Sequence, residues 1–184
     1  KVILFVSQRV TEQRKGMDYL IEAVKLLTEN YPQMGDQVEI ALLGGHSEEL
    51  TDQLKLPVCS LGYVNDEQTI VNIYRSADVF ITPSLEDNLA NTIMEAMACG
   101  VPCVGFKVGG IPEMIDHQKN GYVAAYRDAE DLARGLHWVL CEADGKALSK
   151  AAVSKVSRCY SQQSVALKYT ELYNEAIAQR GYKL

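Results

Sequence analysis

A polar loop near the start of the chain gathers side chains that could bind a phosphate group. The segment Ser7–Gly16 (SQRVTEQRKG) follows an apolar, strand-like run and brings together Arg9, Arg14 and Lys15 in an otherwise acidic chain. Arginine and lysine side chains placed close together can neutralise a diphosphate. A solvated polar loop is the competing interpretation, and composition alone favours it slightly. The loop contains neither Gly-x-Gly-x-x-Gly nor Gly-Lys-Ser/Thr, so the dinucleotide and P-loop motifs are absent.

An acidic loop and the helix after it form the second candidate, within Pro83–Gly100 (PSLEDNLANTIMEAMACG). Asn88 is a suitable N-cap for a helix beginning near Leu89, and the free N–H groups at that end would favour an anion. Asp87 precedes this helix, whereas Glu95 lies about two turns further along it. The two carboxylates could therefore serve the two ends of one elongated ligand.

The roles of these acids differ with their surroundings. Glu95 could bind vicinal hydroxyls such as those of a ribose, while Asp87 or Glu86 could lie beside a sugar ring. Alternatively, acids at a helix start complement the helix dipole or simply face solvent. That alternative explains Glu86 and Asp87 well, but it explains Glu95 less well, because apolar residues flank Glu95 in the sequence.

Weaker signals lie elsewhere in the chain. Gly109 and Gly110, in KVGGIP, allow close backbone approach to a ligand, although a simple turn is the favoured interpretation. His46 is the histidine that falls in a predicted carboxyl-end loop. Five cysteines sit mostly within apolar runs, which predicts small buried side chains in a reducing compartment. They are Cys59, Cys99, Cys103, Cys141 and Cys159.

Strand-like and amphipathic helical runs alternate along the chain, which predicts an α/β fold with a parallel sheet and helices on both faces. The predicted strands are Val2–Val6, Val38–Leu43, Val58–Leu61, Asp78–Thr82, Pro102–Phe106 and Gly121–Ala124. The predicted helices are Gly16–Asn30, Ser47–Leu54, Asp66–Arg75, Leu89–Cys99 and the segment from Asp128 onward, with a break near Ala143–Gly145. Because such sheets bind ligands beyond the carboxyl ends of their strands, both candidate loops fall at the expected edge.

Composition narrows the class of protein. The chain has 184 residues, 47% of them hydrophobic and 23% charged, which fits one globular domain with a real core. Its net charge of −6 argues against nucleic-acid binding. No apolar run approaches the roughly 20 residues that span a bilayer, and no signal peptide is recognisable, so we expect a cytoplasmic protein. Because the chain opens at Lys1 directly in a strand, we expect a part of a longer protein.

Short motifs occur in a fixed order through almost the whole chain. They are RKG with DYLIEAV, LLGG, SLGYV, IYRSADVFITPS, the acidic motif, VPCVGFKVGGIPEMI and NGYVA. In this order they resemble the C-terminal domain of retaining GT-B glycosyltransferases, of the group 1 or family 4 class. The resemblance implies a Rossmann-like sheet, one half of a GT-B fold. It also implies that residues 1–184 form the donor-binding domain, and that the N-terminal acceptor domain is absent.

The family carries a Glu-x7-Glu motif, which Asp87 and Glu95 match with a shortened first acid. The resemblance implies that Glu95 binds the donor's ribose hydroxyls and that Asp87 lies near the transferred sugar. Glu86 supplies a glutamate at a different spacing, so the choice between Glu86 and Asp87 stays open. The family's backbone contacts to the diphosphate or sugar fall on Asn88, Leu89, Ala90 and Asn91.

The family also places an arginine and a lysine on the diphosphate. Lys15 matches the lysine that precedes a glycine. Counting back from Lys15 puts the arginine at Arg9, whereas counting forward from the first strand reaches Gln8, because this loop is one residue longer. We therefore predict Arg9 and Lys15, with Arg14 in reserve. The residues implied to frame the base are Gly44, Gly45, Tyr63 and Val64.

The resemblance implies transfer of a sugar, with retention, from a nucleoside-diphosphate sugar to a glycan or lipid acceptor in polysaccharide biosynthesis. No cofactor is expected, since the nucleotide sugar is a substrate, and no metal, since no Asp-x-Asp occurs. The acceptor would bind the absent domain, and the full-length protein could associate peripherally with a membrane. The chain alone should bind nucleotide but turn over poorly.

Two other functions stay open from the sequence: a nucleotide-sugar epimerase of the same fold, and a non-catalytic nucleotide-binding or receiver-like module. A receiver needs clustered acids after its first strand, where this chain is basic. The last helix is predicted to expose an apolar strip or to fold back on its own domain. That strip consists of Val165, Tyr169, Leu172, Tyr173 and Ala176.

Overall fold

The computed structural model describes residues 1–179 of the chain. Within them, the strands are β1 Val2–Arg9, β2 Glu39–Gly45, β3 Val58–Gly62, β4 Val79–Thr82, β5 Cys103–Phe106 and β6 Gly121–Ala124. All strand pairs are parallel, and the sheet order is β3-β2-β1-β4-β5-β6. The predicted parallel α/β fold is confirmed. Because the order reverses between β1 and β4, their carboxyl ends border the crevice where such sheets bind ligands.

Helices cover both faces of this sheet. The α-helices of the described residues are α1 Met17–Asn30, α2 Glu67–Ser76, α3 Asn91–Ala98, α4 Ile111–Met114, α5 Ala129–His137, α6 Gly145–Cys159 and α7 Gln162–Gln179. A π-helical turn at Trp138–Glu142 follows α5, and 3-10 turns occur at Gln13–Lys15, Pro32–Met34 and Ser47–Leu50.

Strand β1 is buried on both faces, which is why its sequence is apolar without alternation. Ile3 and Phe5 pack in the layer that contains residues of α1 and α5. Leu4 faces the opposite layer, with Ile93 and Met97 of α3. Each fully buried side chain of this size contributes about 2 kcal/mol relative to exposure. These two apolar layers hold β1 between them and so position the loop that follows it.

The start of α3 differs from the starts of its neighbours. Asp66 caps α2, accepting a hydrogen bond from the amide of Thr69 at 2.7 Å, and Asp128 and Asp144 cap α5 and α6 in the same way. Helix α3 instead begins after Ala90, which has no side chain that can cap. The prediction that Asn88 caps a helix from Leu89 is therefore wrong. The main chain of Asn88 packs closely on Gly110, which holds it in the loop.

Other element boundaries agree with the sequence to within a few residues. Strand β1 runs three residues past Val6, because Arg9 pairs with Gly45 of β2 beyond a shift in register. The helix predicted at Ser47–Leu54 is a single 3-10 turn. The segment after Asp128 is helical as predicted, with a break where Asp144 caps α6.

The surface bears on three further predictions. Helix α7 buries none of its described residues and exposes Val165, Tyr169, Leu172 and Tyr173, so the exposed strip is the correct alternative. Cys103 is buried as predicted, but Cys59 and Cys141 are exposed, so the prediction is wrong for these two. Over residues 1–179, no helix has the length and apolar character needed to cross a membrane.

Asp78 joins the amino ends of β1 and β4, which makes folding stability depend on pH. Its carboxylate accepts hydrogen bonds from Lys1 Nζ at 2.9 Å and from the Val2 amide at 2.8 Å. Burial raises the pKa of Asp78, but these two hydrogen bonds outweigh burial and hold the pKa below its ordinary value. The stabilisation is therefore present above the unfolded-state pKa of about 3.9 and is lost as pH falls through the folded-state pKa.

We predict that Asp78→Asn lowers the free energy of unfolding by about 1 kcal/mol at neutral pH, since it weakens two charge-assisted hydrogen bonds. The difference from the parent chain should begin to shrink below about pH 4, where Asp78 becomes protonated in the unfolded state, and should disappear once the pH is below the lowered folded-state pKa. Urea denaturation of parent and variant, at neutral pH and below about pH 4, measures the difference in the free energy of unfolding. Asp36→Asn, at an exposed position, is the control. A difference that stays constant across pH would contradict the prediction.

Candidate functional site

Two adjoining pockets lie at the carboxyl ends of the central strands and share Val6, Ser7 and Gln8 of β1. The first, here called the polar pocket, has a volume of about 320 Å³. Its other lining residues are Glu12, Arg14, Lys15, Asp87, Leu89, Ala90, Asn91 and Thr92. The second is called the apolar pocket. Its other lining residues are Leu43, Gly44, Tyr63, Val64, Ile70, Tyr74 and Glu95. Together the pockets form one elongated cleft.

An ion pair crosses the polar pocket. Lys15 Nζ donates to Asp87 Oδ2 at 3.0 Å, and the two side chains are only 21% and 12% exposed. Lys15 ends the 3-10 turn after β1, and Gly16 closes that turn with φ of 71°. Asp87 lies in the loop after β4. The pair therefore ties the two central loops together and places opposite charges inside the cleft, where solvent screens them less than at the surface.

Arg14 reinforces the contact between these two loops from the outer side. Its guanidinium pairs with Glu12 at 2.9 Å and donates to the carbonyl oxygen of Glu86 at 3.5 Å. Its own carbonyl accepts a hydrogen bond from the amide of Leu85 at 2.9 Å. The acidic loop is thus held to the basic loop by main-chain and side-chain contacts.

The N-terminus of α3 opens into the polar pocket. Asn91 and Thr92 occupy the first turn and line the pocket, and first-turn N–H groups have no acceptor within their own helix. Because Ala90 offers no capping oxygen, no N-cap side chain competes for them. The free N–H groups and the positive end of the helix dipole create a site suited to an anion.

Glu95 lies in the apolar pocket, at the opposite end of the cleft from the ion pair. The hydroxyl of Tyr74, on α2, donates to Glu95 Oε2 at 2.7 Å. Among residues 1–179, no side chain or amide donates to Glu95 Oε1. Burial, and then the hydrogen bond to Glu95, raise the pKa of Tyr74 well above its ordinary value. The carboxylate therefore keeps one oxygen free for a ligand hydroxyl.

The glycine pair of KVGGIP supports the acidic loop. A Cβ at Gly109 would lie 1.8 Å from the carbonyl oxygen of Asp87, and a Cβ at Gly110 would lie 1.8 Å from that of Asn88. The Gly110 amide also donates to the Asp87 carbonyl at 3.2 Å. The close backbone approach at these glycines is thus made to the acidic loop, and an approach to a ligand stays a prediction. Tyr126 adds a further hydrogen bond, from its hydroxyl to the Leu85 carbonyl at 3.2 Å.

The structure brings most of the predicted site residues into the cleft. In the polar pocket these are Arg14, Lys15, Asp87, Leu89, Ala90 and Asn91, and in the apolar pocket they are Gly44, Tyr63, Val64 and Glu95. Four others do not line it: Arg9, Gly45, Glu86 and Asn88.

Gln8, the alternative to Arg9 when counting forward from the first strand, contributes to both pockets. Arg9 is exposed, and its Nε donates to Thr11 Oγ1 at 3.2 Å. The pairing of β1 with β2 shifts register between Val6 and Arg9, in the stretch that contains Gln8. A diphosphate role for Arg9 stays a prediction.

Sequence reasoning assigns no role to several residues that line the cleft, among them Thr92 and Tyr74. Thr92 belongs to the first turn of α3, and Tyr74 lies within the predicted helix Asp66–Arg75. A tyrosine within an otherwise apolar helical face is the available signal, because a buried phenol needs a polar partner.

Within residues 1–179, one surface group brings together side chains of the types that bind metal ions. His46, Glu48 and Glu49 place their ligand atoms within 4.8 Å of one another, and all three residues are exposed. His46 Nδ1 lies 2.7 Å from Glu49 Oε1, so the imidazole already has a partner. None of the three lines the cleft.

The sheet order, the helices on both faces and the cleft at the crossing point define a Rossmann-like domain of the kind that forms one half of a GT-B fold. Residues 1–142 match the family model described as glycosyl transferases group 1. The chain therefore belongs to this family.

The chain spans less than half the length of the relatives that it matches. It is 32% identical, over 98% of its length, to an uncharacterized glycosyltransferase of Methanocaldococcus jannaschii, of which it covers 46%. It is 28% identical, over 96% of its length, to a D-inositol 3-phosphate glycosyltransferase of Saccharomonospora viridis, of which it covers 43%. The fold matches a sucrose-phosphate synthase from Thermosynechococcus elongatus with a TM-score of 0.76 and 23% identity, over 97% of this chain and 46% of that one.

We predict that Gly110→Ala destabilises the protein by about 1–3 kcal/mol and displaces the acidic loop, because the new Cβ would overlap the Asn88 carbonyl. The φ angle of Gly110 is ordinary for a helix start, so crowding is the cause. Thermal denaturation gives the loss of stability, and amide chemical shifts at Asp87–Ala90 report the displacement. Gly145→Ala is the matched control, since a Cβ at Gly145 would meet no atom within 4 Å. Equal stability of the two variants would refute this account.

Proposed function

We propose that this chain binds the nucleoside-diphosphate part of a sugar donor and serves the transfer of that sugar to an acceptor with retention of configuration. The observation that carries the proposal is one cleft with two chemically different ends. The Lys15–Asp87 pair and the first turn of α3 lie at one end, and Glu95 with a free carboxylate oxygen lies at the other. Membership of the glycosyl transferases group 1 family supports it.

The polar pocket suits the diphosphate. Lys15 and the N–H groups of Asn91 and Thr92 would surround it, with Arg14 at the rim. Breaking the bond from the sugar leaves growing negative charge on the leaving phosphate oxygen, and these fixed donors would stabilise that charge. We propose that these groups neutralise the diphosphate without a metal ion. Glu95 would accept from the two ribose hydroxyls, and the base would lie near Gly44, Tyr63 and Val64 in the apolar pocket.

Asp87 is proposed as the acid on the sugar side. Of the two adjacent candidates, Asp87 lines the polar pocket at 12% exposure, whereas Glu86 is exposed and does not line it. When a diphosphate reaches Lys15, it competes with Asp87 for the ammonium group. Asp87 would then turn to a sugar hydroxyl, so that binding the donor replaces one ion pair with two new contacts.

The acceptor is proposed to bind a second domain. This chain spans less than half of the two relatives described above, both of which are named as glycosyltransferases. Those names favour transfer over the epimerase and over a non-catalytic module. We further propose a glycan or lipid acceptor, a role in polysaccharide biosynthesis in the cytoplasm, and peripheral association of the full-length protein with a membrane. Product analysis of the full-length protein separates transfer from epimerisation.

We predict that the chain binds UDP, GDP or another nucleoside diphosphate, and that Lys15→Met weakens the affinity at least about tenfold, since it removes a charge-assisted contact to phosphate. Isothermal titration at low salt measures both. Lys25→Met is the matched control, because Lys25 also forms one ion pair, with Glu22, but on the exposed surface of α1. No binding of any nucleotide at millimolar concentration would refute the proposed function.

We predict opposite effects of Asp87→Asn on two ligands. The affinity for a nucleoside diphosphate should rise severalfold, because the diphosphate no longer competes with or is repelled by a carboxylate. The extra affinity contributed by the sugar of a nucleoside-diphosphate sugar should fall, because the sugar loses its acceptor. Titrations with a nucleoside diphosphate and with the corresponding nucleoside-diphosphate sugar give the first affinity directly and the sugar's contribution as the difference. Glu86→Gln removes the same charge one residue away and should change neither; if it alone reduces the sugar's contribution, Glu86 is the sugar-side acid.

A further inference from the structure

Tyr74 places a polar group in the layer of the core beneath the apolar pocket. It is 1% exposed and packs near Phe80, with ring centroids 6.1 Å apart. Its hydroxyl points to Glu95 at 2.7 Å and forms a bond from α2 to α3. A phenylalanine would fill the same volume without needing a partner. The hydroxyl is therefore the part of this residue that core packing does not explain.

The bond restricts a side chain that would otherwise be free. Glu95 is exposed and has several rotatable bonds, so an unanchored carboxylate would sample many orientations. The hydrogen bond from Tyr74 to Oε2 restricts the orientation of the carboxylate, and no group among the described residues donates to Oε1. Ordering the acceptor before a ligand arrives reduces the entropy lost on binding.

We propose that Tyr74 is a positioning residue for nucleotide binding: its hydroxyl holds the Glu95 carboxylate in the orientation that receives the ribose hydroxyls. This inference rests on the proposed function of the cleft. Burial keeps the pKa of Tyr74 well above its ordinary range, so the phenol stays protonated and keeps donating at any working pH. Tyr74 acts through Glu95 and makes no contact with the diphosphate, which lies at the other end of the cleft.

The test is Tyr74→Phe, which removes the hydroxyl and keeps the ring. Affinity for a ribonucleoside diphosphate should fall about fivefold, the scale of one hydrogen bond. Affinity for the 2′,3′-dideoxynucleoside diphosphate and for inorganic pyrophosphate should not change. In a Glu95→Ala background, Tyr74→Phe should have no further effect on ribonucleotide affinity, because the residue through which it acts is gone.

Tyr122→Phe is the matched control. Tyr122 is also buried and also donates to a carboxylate, Asp131 Oδ1, at 2.8 Å, but outside the cleft. The Tyr122→Phe variant should lose stability as Tyr74→Phe does. It should keep its affinity for the ribonucleoside diphosphate, the dideoxynucleoside diphosphate and pyrophosphate. Equal losses for ribonucleotide, dideoxynucleotide and pyrophosphate in Tyr74→Phe would overturn the proposal, since they indicate a general structural effect.

A spectroscopic measurement on the parent chain covers the case in which Tyr74→Phe fails to fold. The buried Tyr74 hydroxyl proton should give a downfield proton resonance that shifts when a ribonucleoside diphosphate is added and stays in place when pyrophosphate is added. A resonance that responds to neither ligand, in a chain that binds both, would overturn the inference while leaving the proposed function intact. A parent chain that binds no nucleotide at all overturns both.

Discussion

The cleft is built by loops whose main chains touch with no room for a side chain between them. A Cβ at Gly16 would lie 1.9 Å from the carbonyl oxygen of Pro83, and one at Gly44 would lie 1.7 Å from that of Ser7. Gly110 makes the third such contact, with Asn88. In this way the loops after β1, β4 and β5, together with the closely packed ends of β1 and β2, form one connected layer at the edge of the sheet. The positions of Lys15, Asp87 and the start of α3 depend on this layer, because each belongs to one of its loops.

Two electrostatic features of the polar pocket are present without a ligand: the ion pair of Lys15 with Asp87 and the uncapped start of α3. The ion pair of Lys15 and Asp87 is neutral as a unit, so each charge offsets part of the cost of taking the other out of water at the polar end of the cleft. The free N–H groups in the first turn of α3 also attract anions, and because they carry no full charge they need no counter-ion. Under the proposed function, an incoming diphosphate would meet fixed amide donors and one cation whose partner it can displace.

The fold and the polar end of the cleft were predictable because they follow from local patterns. Strand ends locate Lys15 and Asp87 on one edge of a parallel sheet, and that topology alone brings them together. The choice between Gln8 and Arg9 was not predictable, since both residues lie where the pairing of β1 is irregular and counting along the sequence gives two answers. The contact of Tyr74 with Glu95 was equally hidden. It joins two different helices, α2 and α3, whose contact depends on the tertiary fold. No periodicity in the sequence relates residues 74 and 95.

The start of α3 has a consequence for how this protein can change. Ala90 leaves a helix terminus without the side-chain cap that Asp66 and Asp144 provide elsewhere. Serine at such a position commonly stabilises a helix by about 1 kcal/mol, so a screen for heat resistance would tend to favour it. The same hydroxyl would occupy the amides that face the polar pocket. Selection for stability alone would therefore favour a variant whose first-turn amides already bond within the chain, and the proposed anion site depends on the absence of that cap.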